Sequence, residues 1–314
     1  MQKGLTLKHF FLLAALAVPS IGVSAEQSLC TDTNDECVAV GQWQISLAVG
    51  GGVLTNPVVG GDNIPLLVVP YVSYYNERFF LENTTIGYTF SDAPSFDLSA
   101  ILELNGEQKY FNSLHAGNII GVESASFNDS EVLDPTSSDS QDFKDILPDI
   151  RNPNAPKKLP STDDISERDW AIDGGLLGNW YIDNAHNISA QWLYDVSGVY
   201  KGQHIKVSYK YRFQPSEQWP AKVMLSMGAH WQSDELIDYY YGIDKEDDVS
   251  RAYYYRGQQG ISTFIGLALN YRLNPDWQLK FSTKRTFLAN EIQNSPLITE
   301  KYQDYLFIGG QYDF

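Results

Sequence analysis

The chain contains 314 residues, of which 22 are basic and 39 are acidic, so its formal net charge is −17. This acidic excess argues against nucleic acid as a partner, because phosphate backbones are bound by basic surfaces. The sequence holds 20 Tyr, 15 Phe, 7 Trp and 24 Gly at a negative mean hydropathy, which is typical of a membrane barrel with aromatic belts and a polar lumen. One or two soluble domains would also fit this length.

Residues 1–25 are predicted to form a secretory signal peptide. Lys3 and Lys8 precede the apolar run "FFLLAALAVP", and the small residues of "VSA" at 23–25 supply a cleavage site. The run is too short to span a bilayer as a helix, and no later stretch reaches the ~18 consecutive apolar residues that a helical span requires. The sequence therefore predicts export without a transmembrane helix.

Residues 26–40 are predicted to be a short periplasmic segment ahead of the barrel. They carry the only two cysteines of the sequence, Cys30 and Cys37, which are predicted to form a disulfide in the oxidising periplasm. A lipid-modified Cys30 is the alternative, but that modification requires a small residue before it, where Leu29 stands.

Strict two-residue alternation recurs along residues 41–314, which are predicted to form the barrel. Apolar side chains occupy one face of the segments 43–50, 95–105, 170–182, 204–212 and 261–272. The runs are ~9 to 13 residues long, with Trp or Tyr near their ends, as tilted membrane strands require. A two-layer soluble sandwich alternates as well, but length and aromatic placement favour the membrane barrel.

Eleven turn-like breaks divide this region into twelve predicted strands, or ten if the short strand near "ELIDYYYGI" and one neighbour are lost. An even number puts both termini on the periplasmic side. On that count "NE" at 76–77, "SGVYKG" at 197–202, "SDE" at 233–235 and "NPD" at 274–276 become periplasmic turns. Residues 107–167 become one long periplasmic connection.

The connection 107–167 holds twelve acidic and five basic residues and five prolines. Such a composition predicts a partly flexible segment, because it can bury little apolar surface. Three interpretations of this segment remain open: it is a solvated connector, a plug inside the barrel or a docking arm for a partner. The docking arm would use the apolar side chains of "DFKDILPDIRNP", namely Phe143, Ile146 and Ile150.

The last strand is predicted to close the barrel. Leu306, Ile308, Tyr312 and Phe314 share the apolar face of "YLFIGGQYDF". In lipid no strand edge can stay unpaired, which gives a strand a reason to run to the final residue. We expect these four residues to contact lipid and to be recognised by the barrel-assembly machinery. The last strand of a soluble sandwich is the alternative.

Charged residues on the opposite face are predicted to line the lumen. Such a charge distribution polarises a porin constriction, but it also fills a small closed barrel with ion pairs, and a barrel of ten to twelve strands leaves little room. A narrow or closed lumen is therefore favoured. The cluster comprises Lys206, Lys210, Arg212, Arg272, Lys280 and Lys284 facing Asp97, Glu103, Asp173 and Asp195.

An enzymatic barrel would need a nucleophile beside a histidine. His204 and Ser208 share one strand face, and His230 and Ser226 share the next, but each pair is about 13 Å apart along its strand. A cross-strand pairing of His204 with Ser226 is the remaining possibility. With no metal-ligand spacing and no phosphate-binding glycine loop, the sequence predicts a non-enzymatic protein with no cofactor.

Four stretches resemble the MipA/OmpV outer-membrane family. They are "IPLLVVPYVSYYNERFF", "DVSG", "YYYGIDKEDDVSRAYYYRGQQG" and "SPLITEKYQDYLFIGGQYDF". The resemblance runs from about Gln42 to the end and implies a barrel in the outer membrane of a Gram-negative bacterium. It further implies a scaffold that joins a lytic murein transglycosylase to a penicillin-binding protein. Other members are outer-membrane antigens and adhesins, so a surface adhesin or a small porin-like channel is the alternative.

Overall fold

The computed structural model describes residues 40–111, 160, 164–214, 216 and 219–314. The predicted signal peptide, the predicted disulfide between Cys30 and Cys37, and the predicted partner contacts Phe143, Ile146 and Ile150 lie outside the described residues. Among the residues described, no helix has the length and apolar character to cross a membrane.

Twelve antiparallel strands form a closed ring. The ring closes where β13 pairs with β1, from Ser46 opposite Asp313 to Leu54 opposite Tyr305. A thirteenth, two-residue strand pairs only with β1 and is not part of the ring. The prediction of a closed antiparallel barrel of twelve strands is confirmed. The strands are β1 Trp43–Leu54, β2 Ile64–Pro65 (outside the ring), β3 Val68–Tyr75, β4 Phe79–Glu82, β5 Thr85–Ala93, β6 Phe96–Leu104, β7 Ile172–Tyr181, β8 His186–Asp195, β9 Gln203–Phe213, β10 Ala221–Gln232, β11 Gly260–Arg272, β12 Trp277–Phe287 and β13 Tyr302–Asp313.

In the part of the chain that the structure describes, two short helices lie in the connections of this barrel. Helix α1 is Asp234–Tyr241, between β10 and β11, and helix α2 is Asn290–Gln293, between β12 and β13. Single 3-10 turns occur at Gln108–Tyr110 and Arg251–Tyr253.

The two faces of the wall differ as the alternation predicts. Outward side chains such as Trp43 and Ile308 are 58% and 62% exposed, whereas the inward Ser99 and Ser262 are buried. Aromatic side chains concentrate where strands end, and several touch across strands, as in an outer-membrane barrel with its two aromatic belts. Ring contacts in these belts join Trp43 to Tyr74 and Trp277 to Tyr312 at one end, and Phe287 to Tyr302 at the other.

The strand count is correct, but two errors cancel within it. The single strand expected after the predicted turn at 76–77 is instead a hairpin of β4 and β5 that turns at Asn83. Asn83 has φ 45°, a left-handed conformation that Asn tolerates better than most residues. Its backbone N–H donates to the Val72 carbonyl, and its side-chain oxygen accepts from the Val72 N–H, so one residue terminates the short hairpin.

The predicted strand near "ELIDYYYGI" is wrong, because these residues form helix α1. Leu236, Ile237, Tyr240 and Tyr241 are all buried, at the i, i+1, i+4, i+5 spacing of one helical face. Asp234 and Glu235 lie in the first turn, where negative charge is favourable beside the helix N-terminus.

The additional hairpin changes the end of the barrel at which later connections lie. The described ends of the connection between β6 and β7, residues 105–111 and 164–171, lie at the end opposite Val40 and Phe314, which we call the far end, in contrast to the terminus end. The prediction that this connection lies at the same end as the termini is therefore wrong, and so is the same prediction for the turns 197–202 and 233–235. The terminus end carries the shorter connections 76–78, 94–95, 182–185, 214–220 and 273–276, as expected of the periplasmic side.

The apolar core of the described chain lies mainly at the far end. One cluster includes Leu54, Val58, Tyr110 and Leu297, and a second includes Tyr200 with the buried face of α1. The lumen proper is polar, so the protein buries its apolar surface where connections fold over the barrel mouth. We call this assembly of connections the cap.

Candidate functional site

The cap joins the two sequence blocks that carry most of the family resemblance. The hydroxyl of Ser295, from "SPLITE", donates to the backbone carbonyl of Tyr241, from "YYYGID", at 2.6 Å. Ile298 forms an isolated bridge with Val58, and Leu297 is fully buried. These blocks are thus two parts of one packed surface rather than independent strands.

Glu107 ties the start of the long connection to this cap. Its carboxylate accepts from the Tyr241 hydroxyl at 2.5 Å and from the Gln232 side-chain amide at 2.9 Å. Burial, together with the nearby Glu107 charge, raises the pKa of Tyr241 well above its ordinary value. Asn56 donates to the backbone carbonyl of Tyr110 at 3.0 Å. Residues 105–111 therefore cover the barrel mouth as a fixed part of the cap.

A chain of polar contacts runs beneath the cap through Asp173, His204 and His230. His204 Nε2 lies 2.9 Å from Asp173 Oδ2, and His204 Nδ1 lies 3.0 Å from His230 Nε2. Asp173 also accepts from the Tyr200 hydroxyl at 2.6 Å and from the Asn105 side-chain amide at 2.7 Å. The buried Asp173 carboxylate thus links β7 and β9 of the wall to Asn105 and Tyr200 in the far-end connections.

Asp195 performs a different task at the end of β8. Its carboxylate accepts from the backbone N–H groups of Ser197, Gly198, Tyr200 and Lys201, and from the Ser197 hydroxyl. Within the "DVSG" block, the Asp195 carboxylate therefore organises the connection 196–202. The sequence prediction assigned Asp195 to the lumen charge cluster and did not foresee this loop-holding role.

The predicted lumen cluster is only partly brought together. Lys206 Nζ lies 2.9 Å from Glu103 Oε1, whereas Asp97 accepts from Asn179 and Tyr181. The remaining predicted members sit at different depths. Arg212 and Arg272 are exposed near the terminus end, Lys280 is buried, Lys284 is half-buried with its ammonium 4.6 Å from the Phe264 ring centre, and Lys210 faces Glu82 but also Arg212 and Lys284.

The strand register does not assemble the serine and histidine that a hydrolase would need. His204 lies opposite Gln232, and Ser226 lies opposite Lys210. His230 instead contacts His204, within a buried polar network. Within the described ranges, no three metal-ligating side chains are placed to hold an ion.

A cavity of about 100 Å³ lies between the cap and the lumen. Its lining includes Lys109 and Glu107 from the cap and Lys206, His230 and Lys284 from the wall. The sequence prediction missed Asn105, Glu107 and Tyr200, which form the region around this cavity. The only available signal was their position directly before or after predicted strands, which does not reveal contacts that are distant in sequence.

The closing strand presents the predicted apolar residues outward. Leu306, Ile308 and Phe314 are exposed on the lipid-facing side, and Tyr312 packs between the rings of Trp277 and Phe314. The Phe314 N–H donates to the Ile45 carbonyl at 2.9 Å, so the final residue takes part in closing the ring.

The chain is similar to outer-membrane proteins of known sequence. A model of the family described as MltA-interacting protein MipA matches residues 47–314. The outer membrane protein Omp26La of Vibrio anguillarum is 26% identical over 140 residues, which are 44% of this chain and 52% of that protein. The MltA-interacting protein of Escherichia coli K12 is 25% identical over 89 residues, 28% of this chain and 36% of that protein. The chain spans about half the length of the first of these relatives.

The chain is also similar to solved structures. An outer membrane channel from Pseudomonas putida F1 has a TM-score of 0.40 and 11% identity, with 90% of this chain and all of that chain covered. The NanC porin has a TM-score of 0.38 and 7% identity, with 86% of this chain and 98% of that chain covered.

Proposed function

This chain belongs to the family of the MltA-interacting protein MipA, and from that membership we propose that it is a non-enzymatic scaffold between the outer membrane and peptidoglycan-remodelling enzymes. The protein lies in the outer membrane as a closed twelve-stranded barrel. The proposed partners are a lytic murein transglycosylase and a penicillin-binding protein. The observation that carries the proposal is the family match over most of the barrel, together with the name of the Escherichia coli relative.

The proposed partner surface is formed by the connections at the terminus end. Murein enzymes lie beneath the outer membrane, and the terminus end faces that compartment in barrels of this kind. The connection 214–220, between β9 and β10, is longer than the other four at this end. It contains Trp219, which is 45% exposed, and exposed aromatic residues are frequent anchors of protein interfaces.

The test is copurification from chemically crosslinked envelopes with a Gly-Ser replacement of residues 214–220. The folded barrel should be retained, while the amount of copurifying transglycosylase or synthase should fall at least fivefold. The matched control replaces the exposed far-end residues Lys245 and Glu246 with Gly and Ser and should leave copurification unchanged. If no murein enzyme copurifies with the unaltered protein, the scaffold function is wrong; if both replacements leave it unchanged, the partner surface is wrong.

A surface antigen or adhesin is the second candidate, and a specific observation favours it. The two described ends of the long acidic connection, 105–111 and 164–171, lie at the far end of the barrel. A segment of that length and charge on the outer face would be available to host or environmental surfaces. Adhesion of intact cells that is lost on shortening 112–159, while murein-enzyme copurification is absent, would favour this function over the scaffold.

A further inference from the structure

Two histidines contact each other directly beneath the cap. His204 lies on β9 and His230 on β10, with His204 Nδ1 3.0 Å from His230 Nε2 and the two ring centres 5.0 Å apart. His204 Nε2 lies 2.9 Å from a carboxylate oxygen of Asp173, so this nitrogen carries a proton and donates a hydrogen bond. In the uncharged pair, His204 Nδ1 is therefore the acceptor and His230 Nε2 is the donor. The contact thus fixes the tautomer of both rings.

This contact is compatible with one added proton but not with two. With one added proton, a single N–H still lies between the rings, and one of the two facing nitrogens remains an acceptor. With two, both facing nitrogens are N–H donors at a separation of 3.0 Å. The hydrogen bond is then lost, and two positive charges meet where water screens them poorly. A second proton therefore requires the two rings to separate.

His230 is the ring that is better placed to move. His204 is 2% exposed and is held by Asp173, whereas His230 is half-buried. Both rings border the cavity of about 100 Å³ between the cap and the lumen. A polar cavity of this size has room for water, which can deliver a proton to either ring.

The start of the cap is bound on both sides of the histidine pair. The Asn105 amide donates at 2.7 Å to the same Asp173 oxygen that His204 contacts. Glu107 accepts from the Gln232 amide at 2.9 Å, and Gln232 lies directly opposite His204 on β10. Separation of the two rings therefore disturbs the contacts that hold the cap against the wall.

The charges around the pair are nearly balanced while the histidines are uncharged. Among the described residues, the charged groups around the pair and the cavity are three lysines and three carboxylates, namely Lys109, Lys206, Lys284, Glu103, Glu107 and Asp173. Tyrosine, which is uncharged near neutral pH, contributes Tyr110, Tyr200, Tyr241 and Tyr305. Asp195 lies opposite Asp173 and is bound by the backbone of its own connection. Even with Asp195 counted, two added charges leave this enclosed region positive, a cost that exposure to water reduces.

We propose that His204 and His230 form a proton-sensitive latch, which holds the cap closed near neutral pH and releases residues 105–111 when both rings are protonated. We call it the histidine latch. The closed cap binds one proton at the pair and the open cap binds two, so the open form is favoured as the pH falls. The opening equilibrium should change by at most about tenfold for each pH unit below the ordinary imidazole value near 6.5. This inference concerns the cap and does not rest on the scaffold function.

The test measures how fast a buried cap residue reacts at two pH values. Gln108→Cys, in a chain whose Cys30 and Cys37 are replaced by serine, places a thiol at a position that is 1% exposed. The folded barrel in detergent is treated with dithiodipyridine, which also reacts with thiols at acid pH, and each rate is divided by that of free cysteine at the same pH. We expect the relative rate to rise at least tenfold from about pH 7.5 to about pH 5, which is above the ordinary carboxyl range near pH 4.

His230→Gln is the decisive variant, because it keeps an N–H donor towards His204 but cannot take up a proton. Its cap should stay closed at both pH values, with the relative rate changing less than threefold. If this variant does not fold, His204→Gln keeps a donor towards Asp173, leaves a single histidine and should behave in the same way. His186→Gln is the matched control, since His186 is a half-buried histidine at the terminus end, and it should keep the full rise.

Three outcomes would overturn the histidine latch. The first is a relative rate that does not rise between the two pH values when both histidines are present. The second is an equal rise in His230→Gln, because another group would then open the cap. The third is loss of the rise in His186→Gln as well, because acid would then act on the barrel as a whole.

Discussion

Asp173 and Asp195 lie directly opposite each other on β7 and β8, and both are buried. Two carboxylates in facing positions repel, and burial adds to the cost unless each is satisfied by donors. Here the donors form two separate sets. Asp173 is held by side chains from the wall and the cap, whereas Asp195 is held mainly by the backbone of the connection that follows it.

Asp195→Ala should therefore release the connection 196–202 and destabilise the barrel by about 3 kcal/mol, because four backbone N–H groups lose a charged acceptor. Urea unfolding in detergent measures this change. The matched control is Asp183→Ala, since Asp183 also accepts two backbone N–H groups, but in an exposed turn. A loss below 1 kcal/mol for Asp195→Ala, or an equal loss in both variants, would contradict this account.

The sequence predicts the barrel well because alternation and aromatic placement are local signals. Residue-by-residue alternation locates the wall, and the inward and outward faces follow from it. The hairpin at Asn83 is missed because its turn residues, Asn83 and Thr84, include neither Gly nor Pro. Helix α1 is missed because "ELIDYYY" is short and aromatic, a composition that favours a strand as much as a helix.

The buried tyrosines of the cap should make the protein sensitive to alkali. Burial is the largest cause that raises the pKa values of Tyr200, Tyr240 and Tyr241 above the ordinary value near 10. In the unfolded chain these hydroxyls ionise near pH 10, whereas in the folded chain they stay neutral to higher pH. Their contribution to stability is therefore complete below about pH 10 and is lost as the pH rises above it.

Spectrophotometric titration of tyrosinate checks this expectation. Tyr241→Phe should leave the number of groups that titrate near pH 10 unchanged and should reduce the later, unfolding-coupled step. Tyr254→Phe is the control, because Tyr254 is exposed, and it should leave the later, unfolding-coupled step unchanged. If Tyr241→Phe also removes an early-titrating group, Tyr241 is not buried as described.

Removal of Phe314 should lower the yield of folded barrel. The outward Phe314 ring contacts the ring of Tyr312, and the Phe314 N–H donates a hydrogen bond to the Ile45 carbonyl where β13 pairs with β1. Heat-modifiable mobility of membrane fractions measures the folded fraction, which we expect to fall at least threefold. Phe314→Trp keeps both a ring and the backbone N–H and should retain most of the yield. Deletion with unaltered folded yield would show that the last residue is dispensable for assembly.

The contacts of the candidate site were less predictable than the wall. Alternation identifies Glu103, Asp173 and Lys206 as inward residues, but it does not give the register between distant strands. The pairing of Lys206 with Glu103 joins β9 to β6, which are three strands apart. The hydrogen bonds from Asn105 and Tyr200 to Asp173 depend on how the cap folds, and no local sequence signal records that packing.

The Asn83 hairpin also determines the side of the membrane on which the long connection lies. A cysteine at Glu167, an exposed residue near the end of that connection, should react with a membrane-impermeant maleimide on intact cells. A cysteine at Asp276, exposed in the turn between β11 and β12 at the terminus end, should react only after the outer membrane is permeabilised. Cys30 and Cys37 are replaced by serine in both variants, so that no native thiol contributes.

This labelling separates the two arrangements because one additional hairpin inverts every connection between Asn83 and helix α1. If Glu167→Cys is labelled on intact cells and Asp276→Cys is not, residues 107–167 cannot act as a periplasmic docking arm. Murein enzymes must then contact the short connections at the terminus end. If neither cysteine is labelled on intact cells, β4 and β5 do not form separate strands in the membrane. In that case Asn83→Pro, which blocks the left-handed turn by fixing φ near −65°, should leave the folded barrel unaffected rather than abolish it.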